Sequence, residues 1–186
     1  LTTPNSIVHY AHDDSTDRDF MFLHVREPHN MGERYCESIV GLLTHFNVTE
    51  YCRVGGMYDS VPHTRTLLVT GTLTDDQERK ATGMVSPRRS NYQGPTSIMN
   101  LVTETMIEHE ISTTNLLAHL PQYVQLHEDH MGASRITEVL CAMYDLPRSL
   151  ADPARGQQQY REINNAVENN SEVSGLIKQL EAYYDR

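Results

Sequence analysis

The feature that most constrains this chain is an alternation. Short apolar runs of β-type residues are separated by longer stretches whose apolar residues recur every three or four positions. Phe20-Met21-Phe22-Leu23-His24-Val25 is a continuous apolar run of strand length, and Ile7-Val8-His9-Tyr10 is another. The acidic stretch Asp13-Asp14-Ser15-Thr16-Asp17 lies between them, so the two runs are expected to form a hairpin. From Asn30 to His45, Tyr35, Ile39, Leu42, Leu43 and Phe46 share one helical face, and Asn47 can end that helix in the left-handed conformation. Strands are then expected at Glu50–Val54, closing on Gly55-Gly56 ahead of a loop from Met57 to Thr64, at Leu67–Thr72 and at Thr114–Leu120. Helices are expected at 75–82, at Ser97–Glu110 with Pro95 near its first turn, and at Asp129–Tyr144. Strand–helix–strand order of this kind predicts an α/β layer fold with parallel strand pairs.

After Pro147 the composition changes. Pro153 and Gly156 read as punctuation in a linker, followed by two polar helices at about 157–169 and 172–184, with Ser171 as a cap of the second. Their apolar stripes are narrow: Tyr160, Ile163 and Val167, then Val173, Leu176, Ile177 and Leu180. Such a hairpin must pack on something else to be stable. The expected organisation is an α/β domain over 1–147 and a helical hairpin over 148–186.

Composition removes several function classes. The net charge is −10, which repels phosphate backbones, so no nucleic-acid partner is expected. No apolar run approaches the ~18 residues of a membrane span. Cys36, Cys52 and Cys141 are dispersed, with no CxxC pair, which fits reduced thiols in a cytoplasmic setting and argues against zinc. His127-Glu128-Asp129-His130 is compact but lies at a loop or helix start, and no metal or other cofactor is expected.

Three clusters hold the residues that can carry chemistry. The densest follows an expected strand: Gly55-Gly56-Met57-Tyr58-Asp59-Ser60-Val61-Pro62-His63-Thr64-Arg65. Loops after strand C-termini are where open α/β sheets bind ligands. His63 can move protons near neutral pH, and Arg65 can grip a carboxylate or phosphate with two prongs. The plainer alternative is a tight glycine turn with both side chains bonded inside a fixed loop. The second cluster joins Val69-Thr70-Gly71-Thr72 to Gly94-Pro95-Thr96-Ser97, where Thr96 or Ser97 can cap a helix or help hold an anion. The third is Ala118-His119-Leu120-Pro121-Gln122-Tyr123, with His119 at a strand end. No GxGxxG, Walker or GxSxG motif is present. The candidate pocket residues are therefore Gly55, Gly56, His63, Arg65, Thr70, Thr72, Gly94, Thr96, His119 and Tyr123.

These clusters, in this order and with Tyr92-Gln93 ahead of Gly94, resemble the proteasome assembly chaperone family in its bacterial and archaeal branch. The likeness runs from about Glu27 to Arg186 and includes the ending Leu180-Glu181-Ala182-Tyr183-Tyr184-Asp185. It implies a three-layer α/β/α sandwich like the nucleoside phosphorylase fold, with a C-terminal helical hairpin. It also implies homo-oligomers and protein partners, possibly proteasome-like subunits, without established catalysis. It implies a first strand and a Gly/Trp-rich turn that this chain, starting at Leu1 without Trp, is expected to lack. Asp185, not Tyr, is its penultimate residue. Two functions are weighed: a non-enzymatic interaction or assembly protein, and a small-molecule binder or hydrolase/phosphorylase-type enzyme with a pocket shared by His63, Arg65 and His119.

Overall fold

A computed structural model describes residues 6–87, 97–168 and 170–185. The chain divides into two compact units, the first within Leu1–Tyr51 and Asn91–Thr113, the second within Cys52–Ser90 and Thr114–Arg186.

In the first unit, β1 (Ile7–Asp13) and β2 (Arg18–His24) form the expected antiparallel hairpin, with Tyr10 opposite Met21. Helix α1 (Gly32–His45) packs against α3 (Ile98–Glu108) through Cys36, Ile39, Val40, Leu43, Val102 and Met106, and Ile111 closes this core. Asn47 is left-handed at φ 52°, ending α1 as the sequence suggests. Ser97 caps α3 by accepting from the Met99 N–H, and the Glu27 carboxylate accepts from Ile98 N–H. An anionic group at that helix start favours the positive end of the helix dipole.

The second unit is built on a sheet of order β3-β6-β4-β5, comprising β3 (Glu50–Asp59), β6 (Ser112–Pro121), β4 (Val69–Thr72) and β5 (Ser86–Pro87). The first residues of β3 and β6 belong to the first unit. Helix α2 (Asp75–Lys80) links β4 to β5, which pair in parallel as a βαβ unit should. A reciprocal capping box, Thr74 with Gln77, starts α2. The expectation of parallel pairs fails between β4 and β6, which run antiparallel with Thr70 opposite Leu117. Periodicity fixes which segments are strands but carries no information on direction. The α/β class holds, with a mixed sheet.

Helix α4 (His130–Tyr144) buries Val139 and Met143 against Val69, Leu116 and Ala81. Leu116 is fully buried and its strand neighbours are half-buried, as the two-residue period of a strand requires. Two helices follow, α5 (Ala154–Glu168) and α6 (Ser171–Tyr184), the expected hairpin. Asn170, not Ser171, caps α6, accepting from Glu172 and Val173 N–H groups.

Three further readings are corrected. Gly55 and Gly56 do not end a strand; β3 continues through them to Asp59. A β-carbon at Gly56 would lie 3.1 Å from Leu120 Cδ1, so this glycine leaves room for a β6 side chain, whereas one at Gly55 would meet Leu117 Cδ1 at an ordinary 3.5 Å. Second, Gly156 lies in the first turn of α5 and is buried, not in a linker. Third, Met57–Asp59 are strand rather than loop. No helix among the described residues is long and apolar enough to cross a membrane.

Candidate functional site

Strand β3 ends where Asp59 C=O accepts the Gln122 N–H, and the chain then turns inward. Val61, Pro62 and His63 are buried, His63 with 4% of its surface exposed. A buried imidazole must satisfy both ring nitrogens. His63 Nε2 lies 2.8 Å from Asn164 Oδ1 on α5. That oxygen only accepts, so Nε2 carries the proton. Nδ1 therefore accepts from the Tyr123 hydroxyl at 2.6 Å, and the same hydroxyl accepts the His63 backbone N–H at 2.8 Å. The Tyr160 ring meets the imidazole edge-on at 5.8 Å, and its hydroxyl donates to Asp129 Oδ2. Asp129 Oδ1 meanwhile caps α4 through Gly132 N–H.

Burial holds the His63 imidazole below its ordinary value of 6.5, outweighing the Asn164 bond and the Glu181 charge, which favour protonation. The unfolded chain thus binds a proton more readily than the folded one. His63 contributes stability that is fully present above pH 6.5 and is lost as the pH falls below it toward the lower folded value. The thermal midpoint should drop between pH 7 and pH 5, and the same scan on His63→Gln should give a shallower slope.

The next residues clasp the end of α6. Arg65 places Nη2 2.7 Å from Asp185 Oδ2 and Nε 3.0 Å from Asp185 Oδ1, a two-pronged contact. Its Nη1 lies 3.0 Å from Glu181 Oε1, which also accepts from the Thr64 hydroxyl. The guanidinium holds the Asp185 carboxyl below the usual carboxylate range. The Tyr184 hydroxyl donates to Thr66 C=O at 2.7 Å.

His119 belongs to a separate group. Its Nδ1 lies 2.6 Å from Asp59 Oδ2 and its Nε2 2.9 Å from Thr70 Oγ1, which ties β3, β6 and β4 together by their side chains. A carboxylate, an imidazole and a hydroxyl stand in line.

Of the sequence candidates, His63 and Tyr123 touch, and Thr70 touches His119. Arg65 faces α6, Thr72 is exposed at the end of β4, and Gly55 and Gly56 lie in β3. Gly94 and Thr96 lie outside the described residues, as do Tyr92, Gln93 and Pro95. Of the side chains that complete these groups, Asp59 falls inside the first sequence cluster and Asp129 inside the His127–His130 run, whereas Asn164, Tyr160, Glu181 and Asp185 are not marked as site residues by the sequence. Asn164 sits 101 residues from His63 and Asp185 120 from Arg65, separations at which no local pattern forms.

A cavity of about 240 Å³ is lined by Gly56, Met57, Tyr58, Leu120, Leu126, His127 and Asp129. His63, Arg65 and His119 do not line it.

This arrangement can be set beside known proteins. The PAC2 family profile matches residues 1–167. The chain belongs to the PAC2 family. The likeness to proteasome assembly chaperones seen in the sequence is thereby borne out. No curated protein matches the sequence. Among solved structures, this PAC2 chain resembles a protein of unknown function from Corynebacterium glutamicum, at 19% identity and TM-score 0.83, over 96% of this chain and 65% of that one. It also resembles a Mycobacterium tuberculosis protein of unknown function, at 23% identity and TM-score 0.81, over 96% of this chain and 60% of the other. A third is a proteasome-assembly chaperone homologue of Mycobacterium tuberculosis, at 20% identity and TM-score 0.76, over 92% of this chain and 72% of that one. The chain thus spans less than two thirds of the length of the first two.

Proposed function

We propose that this PAC2 chain is a non-enzymatic interaction protein that holds other protein subunits during assembly of a larger particle. The observation that carries the reading is the saturation of its reactive side chains. Both ring nitrogens of His63 are engaged by partners inside the fold, and Arg65 is engaged by two carboxylates. Groups so occupied position secondary structure and leave no open proton-transfer site. Large apolar side chains remain exposed on each unit, Tyr10 and Phe22 on the first and Leu176 and Tyr183 on the second. Membership of the PAC2 family and the name of the mycobacterial homologue favour proteasome-like subunits as clients. In this reading the chain works as a homo-oligomer in the cytoplasm, without a cofactor.

Native mass spectrometry of the protein mixed with proteasome α subunits tests it. A mixed complex is the expected result; self-oligomers alone count against the role.

One observation favours a second reading. Asp59, His119 and Thr70 have the order of a carboxylate–imidazole–hydroxyl relay, the arrangement that activates a hydroxyl for acyl transfer. A fluorophosphonate probe that labels the wild type but not Thr70→Val would support a hydrolase. An unlabelled wild type would dismiss it.

A further inference from the structure

We infer that the α5–α6 hairpin is a releasable element, seated on the loop after β3 at neutral pH and swung off it in mild acid when His63 takes up a proton. The release is local, and the sheet and α4 stay folded through it. This device goes beyond the assembly role proposed above and does not depend on any client.

The position of the ring is the first observation. His63 lies between the turn after β6, which supplies Tyr123, and α5, which supplies Asn164 and Tyr160. The ring and Tyr160 are both buried. The root of the hairpin is held separately. Gly156 near the start of α5 seats against Met131, and Asp185 just after α6 is clasped by Arg65. The hairpin therefore has a fixed root, and His63 sits beyond that root, under the middle of α5.

The direction of the hydrogen bonds is the second. Neutral His63 donates from Nε2 to Asn164 and accepts at Nδ1 from the Tyr123 hydroxyl. A proton added at Nδ1 makes both ring nitrogens donors. Tyr123 must then turn its own proton away, and its oxygen already accepts the His63 backbone N–H. The groups around the ring do little for a positive charge. Tyr123 and Tyr160 stay neutral, since burial pushes both phenols up. Glu181 of α6 is bonded to Arg65 and Thr64, and Asp129 of α4 to Tyr160 and Gly132. Arg65, in the same loop, is itself a cation. A buried charge without its own counter-ion is costly.

Lifting Tyr160 and Asn164 off the ring lets water reach it. The open form then takes the proton at the ordinary 6.5, and the closed form below that value because burial outweighs the Glu181 charge. Falling pH favours the form that binds the proton more readily, so the open population grows below 6.5, by at most about tenfold per pH unit for one proton. The Arg65–Asp185 clasp persists in this window, because the Asp185 carboxyl is held below the usual carboxylate range. The root stays in place while the rest swings. A helix with a narrow apolar stripe is not stable unpacked, so the swung segment frays.

Hydrogen exchange of the 186-residue chain at pH 7 and pH 5, corrected for the intrinsic amide rates, tests this. Protection across 160–177 should fall about tenfold at the lower pH, with β4 and β6 unchanged. His63→Gln keeps a donor for Asn164 and takes up no proton, so its protection should be the same at both values. The His63 ring signals of the wild type, followed by NMR over the same range, should titrate together with the loss of protection. This last measurement decides even where the variant does not fold. A His63 that titrates while 160–177 stays protected contradicts the device. So does an equal loss in His63→Gln, which would assign the release to another group such as His130 at the start of α4. A loss shared by β4 and β6 would be unfolding of the whole unit and would contradict it as well.

Discussion

Gly156→Val is expected to lower the thermal midpoint by roughly 5–10 °C, the shift that an overpacked core site gives in a protein of this size. Helix α5 crosses the start of α4 at this position. A β-carbon on Gly156 would lie 2.6 Å from Met131 Cα and 2.7 Å from Met131 N. Those are backbone atoms and cannot swing aside as a side chain does. The helix must lift, and lifting it weakens the Tyr160–Asp129 and His63–Asn164 bonds that α5 carries. Glycine inside a helix normally costs about 0.5–1 kcal/mol relative to alanine. A control exploits this: nothing lies within 4 Å of a β-carbon at Gly175 in α6. Gly175→Ala should therefore raise the midpoint slightly, while Gly156→Ala lowers it. Thermal scans of both by circular dichroism check the contrast. Two shifts of the same sign would mean that α5 does not seat on Met131.

The second large effect belongs to His63→Leu. The change keeps a side chain of moderate size in a buried place but removes both ring nitrogens. Asn164 Oδ1 and the half-buried Tyr123 hydroxyl then lose a partner each. Asn164 is exposed and can turn to water, so the cost comes from the half-buried hydroxyl and is roughly 1–3 kcal/mol. Tyr123→Phe should cost at least as much, because it strips the buried Nδ1 and the backbone N–H of His63 of their shared partner. The double variant should fall short of the sum of the two, since the pair shares a bond. A denaturant titration of the four proteins gives the cycle. Strict additivity would show that the imidazole and the phenol act independently.

Much of the fold is legible because it rests on local chemistry. Ile39 and Leu43 of the α1 stripe, the left-handed Asn47 and the antiparallel hairpin follow from neighbouring residues, whereas Phe46 of that stripe is exposed and Cys36 and Val40 are buried instead. Glycine misleads twice. At Gly55-Gly56 a punctuation signal sits inside a strand, and at Gly56 Leu120 takes the space. At Gly156 the same signal marks a helix crossing. The reason in each case lies more than twenty residues away. His63, Arg65, His119 and Tyr123 are recognisable from the sequence as notable, but their partners are not. Reading them as one pocket fails because Asn164, Asp185 and Asp59 draw them to different places. The nearest clue is Glu181 and Asp185 near the end of an otherwise narrow apolar stripe, a pairing that nothing in the sequence directs to Arg65.

The loop of His63, Thr64 and Arg65 fastens the α5–α6 hairpin to its sheet. Hydrogen exchange on Arg65→Ala measures this most directly. Faster exchange confined to α6 and the adjoining end of α5, with β4 and β6 as slow as in the wild type, is the predicted result. Unchanged protection of α6 would contradict it, since the clasp would then hold nothing.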